Sequence, residues 1–163
     1  MKKPFRPKQL VLGSLIAAVY VVLTFVSSSL GLAFGAVQLR ISEALTVLPL
    51  YTPSAIWGLT LGCVLSNLQS PLGVVDIIFG SLATLIATVG TYLLRNVKPR
   101  IFALLCPVLS NAIIVGAELS YLVGEGFWFN ALFVGLGEAV SVIVFSYPLI
   151  KALDKNNIFE RMR

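Results

Sequence analysis

Residues 37–50, VQLRISEALTVLPL, decide how this chain is read. The segment is apolar enough to enter a membrane, yet it carries Gln38, Arg40 and Glu43 and ends at Pro49. On its N-terminal side, residues 9–39 contain no charge, enough for one span and a linker rich in small residues. On its C-terminal side, Pro53 opens another apolar run. Whether residues 37–50 also cross is settled by the basic residues elsewhere. Lys2, Lys3, Arg6 and Lys8 form one cluster, Arg95, Lys98 and Arg100 a second, and Lys151, Lys155, Arg161 and Arg163 a third. Counting residues 37–50 as a span puts all three clusters on one side. Omitting it leaves seven basic residues outside against four inside, contrary to the positive-inside bias. Six spans are therefore expected, at about 10–30, 37–50, 53–67, 73–94, 100–123 and 129–153, in one transmembrane domain with both termini cytoplasmic.

Composition supports the same class. Only 12% of residues are charged and 58% are hydrophobic, whereas soluble domains carry about 25% charge. The expected fold is an all-α integral membrane protein of about six helices in a bacterial-type cytoplasmic membrane. Several spans are shorter than the ~20 residues of a perpendicular helix, so tilted or broken helices are expected. AFGA at 33–36 loosely resembles a signal-peptidase site, but the preceding apolar stretch exceeds the usual ~7–15 residues. The net charge of +5 reports topology, since eleven of the twelve basic residues lie in three short hydrophilic segments rather than on a nucleic-acid-binding face.

The chain contains no histidine, and Cys63 and Cys106 lie in apolar runs without metal-ligand spacing. No metal site and no cofactor are expected. Neither a GxxxxGK[ST] loop, an HExxH helix nor a GxSxG elbow occurs, so no enzyme is expected and any ATP-driven step must lie in partner subunits. Small residues at four-residue spacing mark close helix approach in lipid. Gly58, Gly62 and Ser66 form one such row, and Gly13/Ala17 and Ser14/Ala18 form two adjacent faces on the first span. Trp57, Tyr92 and Tyr147 are placed as anchors at the inner interface, Tyr121 and Trp128 at the outer one.

Ionisable residues inside a span cost roughly 2.5–3.5 kcal/mol each on insertion scales and so mark functional positions. Glu43, Asp76, Glu118 and Glu138, with Arg40, Asn67 and Asn111, fall mostly in the outer half, which describes a cavity opening outward. Glu125, in the loop GEG, is read as solvated. Arg40 and Glu43, three apart, are neighbours on one helical face and candidates for an ion pair. Asn111 and Glu118 lie two turns apart, about 10.5 Å along a helix, a spacing suited to the two ends of a small planar ligand. Glu118 and Glu138 have no evident cationic partner in the sequence, which favours a cationic or donor-rich solute.

The strings RISEALTVLP (40–49), SNLQSPLGVVDIIFGSLATL (66–85), Pro107 with NAIIVG (111–116), and Gly137–Glu138 resemble the QueT family, over roughly residues 13–147. That resemblance implies a substrate-binding S component of an energy-coupling-factor transporter for queuosine precursors, such as 7-aminomethyl-7-deazaguanine. It implies capture from outside beneath the loop joining the first two spans, with a transmembrane coupling subunit and two cytoplasmic ATPases as partners. The ligand would be held by Glu43, Asn111, Glu118 and Glu138, with Phe34, Tyr121 and Trp128 as stacking candidates. Arg40, Asp76 and Asn67 would support the site, and the small faces Gly13/Ala17 and Ser14/Ala18 would dock the coupling subunit. Family members often carry an AxxxA face there, which Ser14-x-x-x-Ala18 matches in size only. Alternatives are an S component for another vitamin or nucleobase-like solute, a stand-alone carrier, or a membrane enzyme that modifies its ligand.

The orientation has a direct check. A green fluorescent protein fused to the C-terminus is expected to fluoresce, and alkaline phosphatase at the same position to be inactive. The reverse pair of results would turn the topology over.

Overall fold

In the computed structural model of the chain, which describes residues 7–34, 38–124 and 126–156, every regular element is helical. The elements are α1 (Pro7–Ser29), a 3-10 helix (Ile41–Leu50), α2 (Ser54–Asn67), α3 (Val74–Leu93), α4 (Ile101–Val123), α5 (Phe127–Ser141), a π turn (Val142–Ser146) and α6 (Tyr147–Asn156). Four stretches are long and apolar enough to cross a membrane: α1, α3, α4 and the run Phe127–Lys155, which joins α5, the π turn and α6. The 3-10 helix, ten residues at about 2.0 Å each, is roughly 20 Å long. α2, fourteen residues at about 1.5 Å each, is about as long. Both are shorter than the ~30 Å hydrocarbon core.

The 3-10 helix is the axis of the molecule. Ser42 to Pro49 are buried without exception, so this helix has no lipid-facing side. It packs against α1, α2, α3, α4, α5 and the π turn, while the longer helices pack in sequence order around it, α1 on α2, α2 on α3, α3 on α4 and α4 on α5. A helix enclosed all round belongs to a core rather than to a surface. Leu45 and Leu48 join Ile16 and Tyr20 of α1, Ala55, Leu59 and Cys63 of α2, and Leu153 of α6 in one apolar cluster. Ala83 of α3, Val115 and Leu119 of α4 and Val134 of α5 form a second. Outward, rows such as Val11, Leu15, Val22 of α1 and Ile78, Leu82, Ile86 of α3 remain exposed, as lipid-facing surfaces do.

Two prolines inside long helices are compensated locally. Pro107 cannot donate to the Ala103 carbonyl one turn earlier. The Thr91 hydroxyl of α3 supplies that hydrogen bond at 3.2 Å, tying α3 to α4. Pro148 breaks the ladder at Val144, inside the π turn that divides α5 from α6. At the end of the bundle where α4 starts and α6 ends, the Tyr51 hydroxyl donates to Asp154 Oδ1 at 2.8 Å and Arg100 Nη1 to Asp154 Oδ2 at 2.6 Å. This pair is largely solvent-exposed, so it contributes at most about 1 kcal/mol.

The α1–α2 contact depends on missing side chains. A Cβ on Gly58 would sit 2.6 Å from the Gly13 carbonyl oxygen, and one on Gly62 would sit 2.9 Å from Tyr20 Cβ. Trp57 lies against Gly13 and is half-buried there, packing on α1 rather than projecting as an interfacial anchor. Gly58→Ala is expected to destabilise the detergent-solubilised protein by about 1–3 kcal/mol, because backbone rather than a flexible side chain blocks the new methyl. Leu61→Ala, on the exposed side of the same helix, should stay within about 0.5 kcal/mol. Thermal melting of the two variants compares them, and equal Tm values would show that the contact is not tight.

Candidate functional site

The buried charges gather where the 3-10 helix begins. Arg40, just ahead of it, has extended backbone (φ −96°, ψ 116°), so its side chain does not follow the helical face that carries Glu43. The guanidinium is held from four directions. Nε donates to the Ala33 carbonyl at 2.7 Å, and Nη1 to Asn67 Oδ1 at 3.4 Å. Nη2 lies 3.9 Å from Asp76 Oδ2, and the group stands 5.1 Å over the Phe34 ring. Asn67 Nδ2 donates in turn to the Asp76 backbone carbonyl at 2.9 Å. Gly80 makes room for this arrangement, since a Cβ there would meet Asn67 Nδ2 at 2.6 Å and Asp76 Oδ1 at 3.1 Å. Arg40 thus joins the loop after α1 to the end of α2 and the start of α3.

The expected ion pair between Arg40 and Glu43 is corrected by this geometry. Arg40 pairs with Asp76, and Glu43 Oε1 instead accepts the Tyr20 hydroxyl of α1 at 2.6 Å. The physical reason is local: the three-residue spacing makes neighbours on a continuous helix, and the helix here starts only at Ile41. Tyr20, fully buried mid-span, was not among the expected site residues. Its signal is chemical, because a phenol far from either interface needs a hydrogen-bond partner.

Glu43 also faces Glu138 of α5, and Asn111 of α4 lies beside Glu138. The close approach is built by Gly137. A Cβ there would lie 2.5 Å from the Gln38 carbonyl oxygen, so only glycine lets the chain leading to Arg40 lie on α5 one residue before Glu138. The Ser146 hydroxyl in the π turn donates to the Ala44 carbonyl at 3.3 Å and pins the same strip further along. Asn111 gives one amide hydrogen to the Pro107 carbonyl at 3.1 Å. Glu118, also on α4, is buried and faces the charges of Asp76 and Arg40.

The arrangement has two ends. Glu43, Glu138 and Asn111 form one, and Arg40, Asp76, Asn67 and Glu118 the other, with α4 running between Asn111 and Glu118. Six of the eight carboxylate oxygens accept no hydrogen bond from a donor among the described residues: one each on Glu43 and Glu138, and both on Asp76 and Glu118. Phe34 is at the Arg40 end. Tyr121 and Trp128 are 86% and 82% exposed, on the outer surfaces of α4 and α5 and not among the buried acids, a placement that suits interfacial anchors rather than stacking partners. Glu125 lies outside the described residues. The two small faces of α1 separate: Gly13 and Ala17 are buried against α2, while Ser14 and Ala18 are exposed.

Removing one member of the buried Arg40–Asp76 pair leaves an uncompensated charge, which costs about 3–5 kcal/mol. Arg40→Met is therefore expected to lower stability by that amount in thermal or denaturant unfolding. Asp76→Asn added to it should restore most of the loss, and simple additivity of the two would contradict the pairing.

A family model described as QueT transporter matches residues 10–155. The Queuosine precursor transporter QueT of Lactococcus lactis subsp. cremoris (strain MG1363) is 33% identical over 90 residues, covering 55% of this chain and 53% of that protein. The chain thus aligns with about half the length of the curated relative it matches. No solved structure matches the chain. With the family model spanning all the helices from α1 to α6, this multi-pass membrane protein belongs to the QueT transporter family.

Proposed function

We propose that the chain is the substrate-binding S component of an energy-coupling-factor importer in the cell membrane, capturing a queuosine precursor such as 7-aminomethyl-7-deazaguanine from outside. Four buried carboxylate oxygens without a donor, one each on Glu43 and Glu138 and two on Glu118, carry this reading. Leaving such groups unpaired costs about 1–3 kcal/mol each, and a solute rich in N–H groups repays that cost on binding. The relative's name, a queuosine precursor transporter, indicates the same ligand class.

The pairing follows from chemistry. The guanine-type edge of a 7-deazaguanine offers adjacent N–H donors that the Glu118 carboxylate accepts in bidentate fashion, a charge-assisted and therefore strong arrangement. At the other end the aminomethyl group, cationic at neutral pH, meets Glu43 and Glu138. Asn111 Nδ2 gives one hydrogen to Pro107, and its other, beside Glu138, turns to the ring carbonyl once the aminomethyl group occupies Glu138. Phe34 is the aromatic closest to these groups, and stacking of a flat ring contributes about 1–3 kcal/mol. Arg40, Asp76 and Asn67 hold the acids in place. With the 3-10 helix and α2 counted as short spans beside the four long ones, both termini are cytoplasmic and the site opens outward; the exposed Ser14/Ala18 face of α1 docks a transmembrane coupling subunit whose two ATPases supply the energy. The chain itself performs no chemistry on its ligand.

Calorimetric titration of the purified protein tests the ligand, with guanine and thiamine as comparisons. Tight, selective binding of 7-aminomethyl-7-deazaguanine without any partner is expected. Glu118→Gln should weaken it by about 2–5 kcal/mol, roughly thirtyfold to several-thousandfold; wild-type affinity would remove Glu118 from the site. In proteoliposomes, uptake is expected only with the coupling subunit, the ATPases and ATP. Net uptake by this chain alone would make it a stand-alone carrier, and recovery of altered ligand would make it an enzyme.

A further inference from the structure

The buried ionisable side chains among the described residues do not balance. Glu43, Asp76, Glu118 and Glu138 are four acids, and Arg40 is the one base buried with them. Arg40 is engaged by Asp76, Asn67, the Ala33 carbonyl and the Phe34 ring, which leaves Glu43 and Glu138 facing each other without a cation between them.

Two carboxylates buried face to face with no cation between them cannot both keep their charge in a low-dielectric site. The charged and polar groups that face this pair are Tyr20 from α1, Arg40 ahead of the 3-10 helix, Cys63 from α2 and Asn111 from α4, while Asn67, Asp76 and Glu118 lie toward the Arg40 end. Tyr20 donates to Glu43 Oε1, and Asn111 reaches Glu138. Glu43 Oε2 and Glu138 Oε1 have no other donor, and Glu138 is 6% exposed. Glu118, 4% exposed with both oxygens unpartnered, lies toward the Asp76 and Arg40 end. Unpartnered buried carboxyl oxygens at both ends mark a place built for donors from a ligand.

We propose that Glu43 and Glu138 form an amine-selecting exchange site: the pair shares one proton when empty, and a ligand's primary ammonium replaces that proton. The proton leaves for the outer water as the ammonium enters, so the buried charge is the same before and after. A neutral ligand of the same shape supplies no cation and leaves the proton in place. The pair therefore selects among 7-deazaguanines for the one carrying an amine. This rests on the ligand class proposed above, and it adds the determinant that distinguishes members of that class.

Calorimetry of the full chain in detergent, run in two buffers of different ionisation enthalpy, counts the protons. Binding of 7-aminomethyl-7-deazaguanine is expected to release about one proton, and its affinity to fall about tenfold for each pH unit the solution is lowered, since release of a proton is opposed by acid. The neutral 7-cyano-7-deazaguanine should bind more weakly and release none. Glu138→Gln should abolish proton release and the preference for the amine while still binding the nitrile. Amine binding without proton release, or equal release by both compounds, would overturn the exchange while leaving the ligand class standing. Binding of neither compound to folded wild-type protein would withdraw the ligand class and the exchange with it. Should Glu138→Gln fail to fold, the wild-type proton count decides by itself.

Discussion

The guanidinium of Arg40 is the constraint on which the rest of this structure depends. A permanently charged group enclosed by apolar helices must be compensated within the bundle, because lipid offers nothing in return. Its contacts reach the Ala33 carbonyl, Phe34, Asn67 and Asp76. Three separate parts of the chain are thereby fixed at one point: the loop after α1, the end of α2 and the start of α3. Once Arg40 is committed there, no other buried cation among the described residues is left for the remaining acids.

A second constraint is the passage of backbone through the middle of the bundle. The 3-10 helix is buried on every side, and its approach is possible only where neighbours have no side chain in the way. Gly137 admits the Gln38 carbonyl, and Gly80 admits Asn67 beside Asp76. Packing and chemistry are linked here in a direct sense. The glycine that lets the chain cross α5 is followed at once by Glu138, so the same crossing that closes the core brings Glu138 against Glu43.

Much of this was legible in residues 37–50. The run RISE, with two charges in four residues inside an apolar stretch, demands internal partners, and the all-helical membrane class follows from composition and the distribution of basic residues. The four buried acids were identifiable because each is costly where it lies. The partners were harder to see. Arg40 and Asp76 are 36 positions apart, and Tyr20 reaches Glu43 across 23, pairings that no helical periodicity reveals. A local spacing rule favoured Glu43 for Arg40, and it failed because helical backbone begins one residue too late. Exposure also escaped the sequence: Tyr121, three positions from buried Glu118, points outward, and of two adjacent small faces on α1 one is consumed by α2. Burial is decided by which helices become neighbours, and residue type alone does not state that.

In the proposed function a ligand bridges the two acidic ends between Asn111 and Glu118. An experimental density map of the protein saturated with 7-aminomethyl-7-deazaguanine tests it most directly. The ring is expected between α4 and the 3-10 helix, its guanine-type edge within hydrogen-bond distance of Glu118 and its amine against Glu43 and Glu138. Ligand density elsewhere, with these carboxylates still unpartnered, would contradict it.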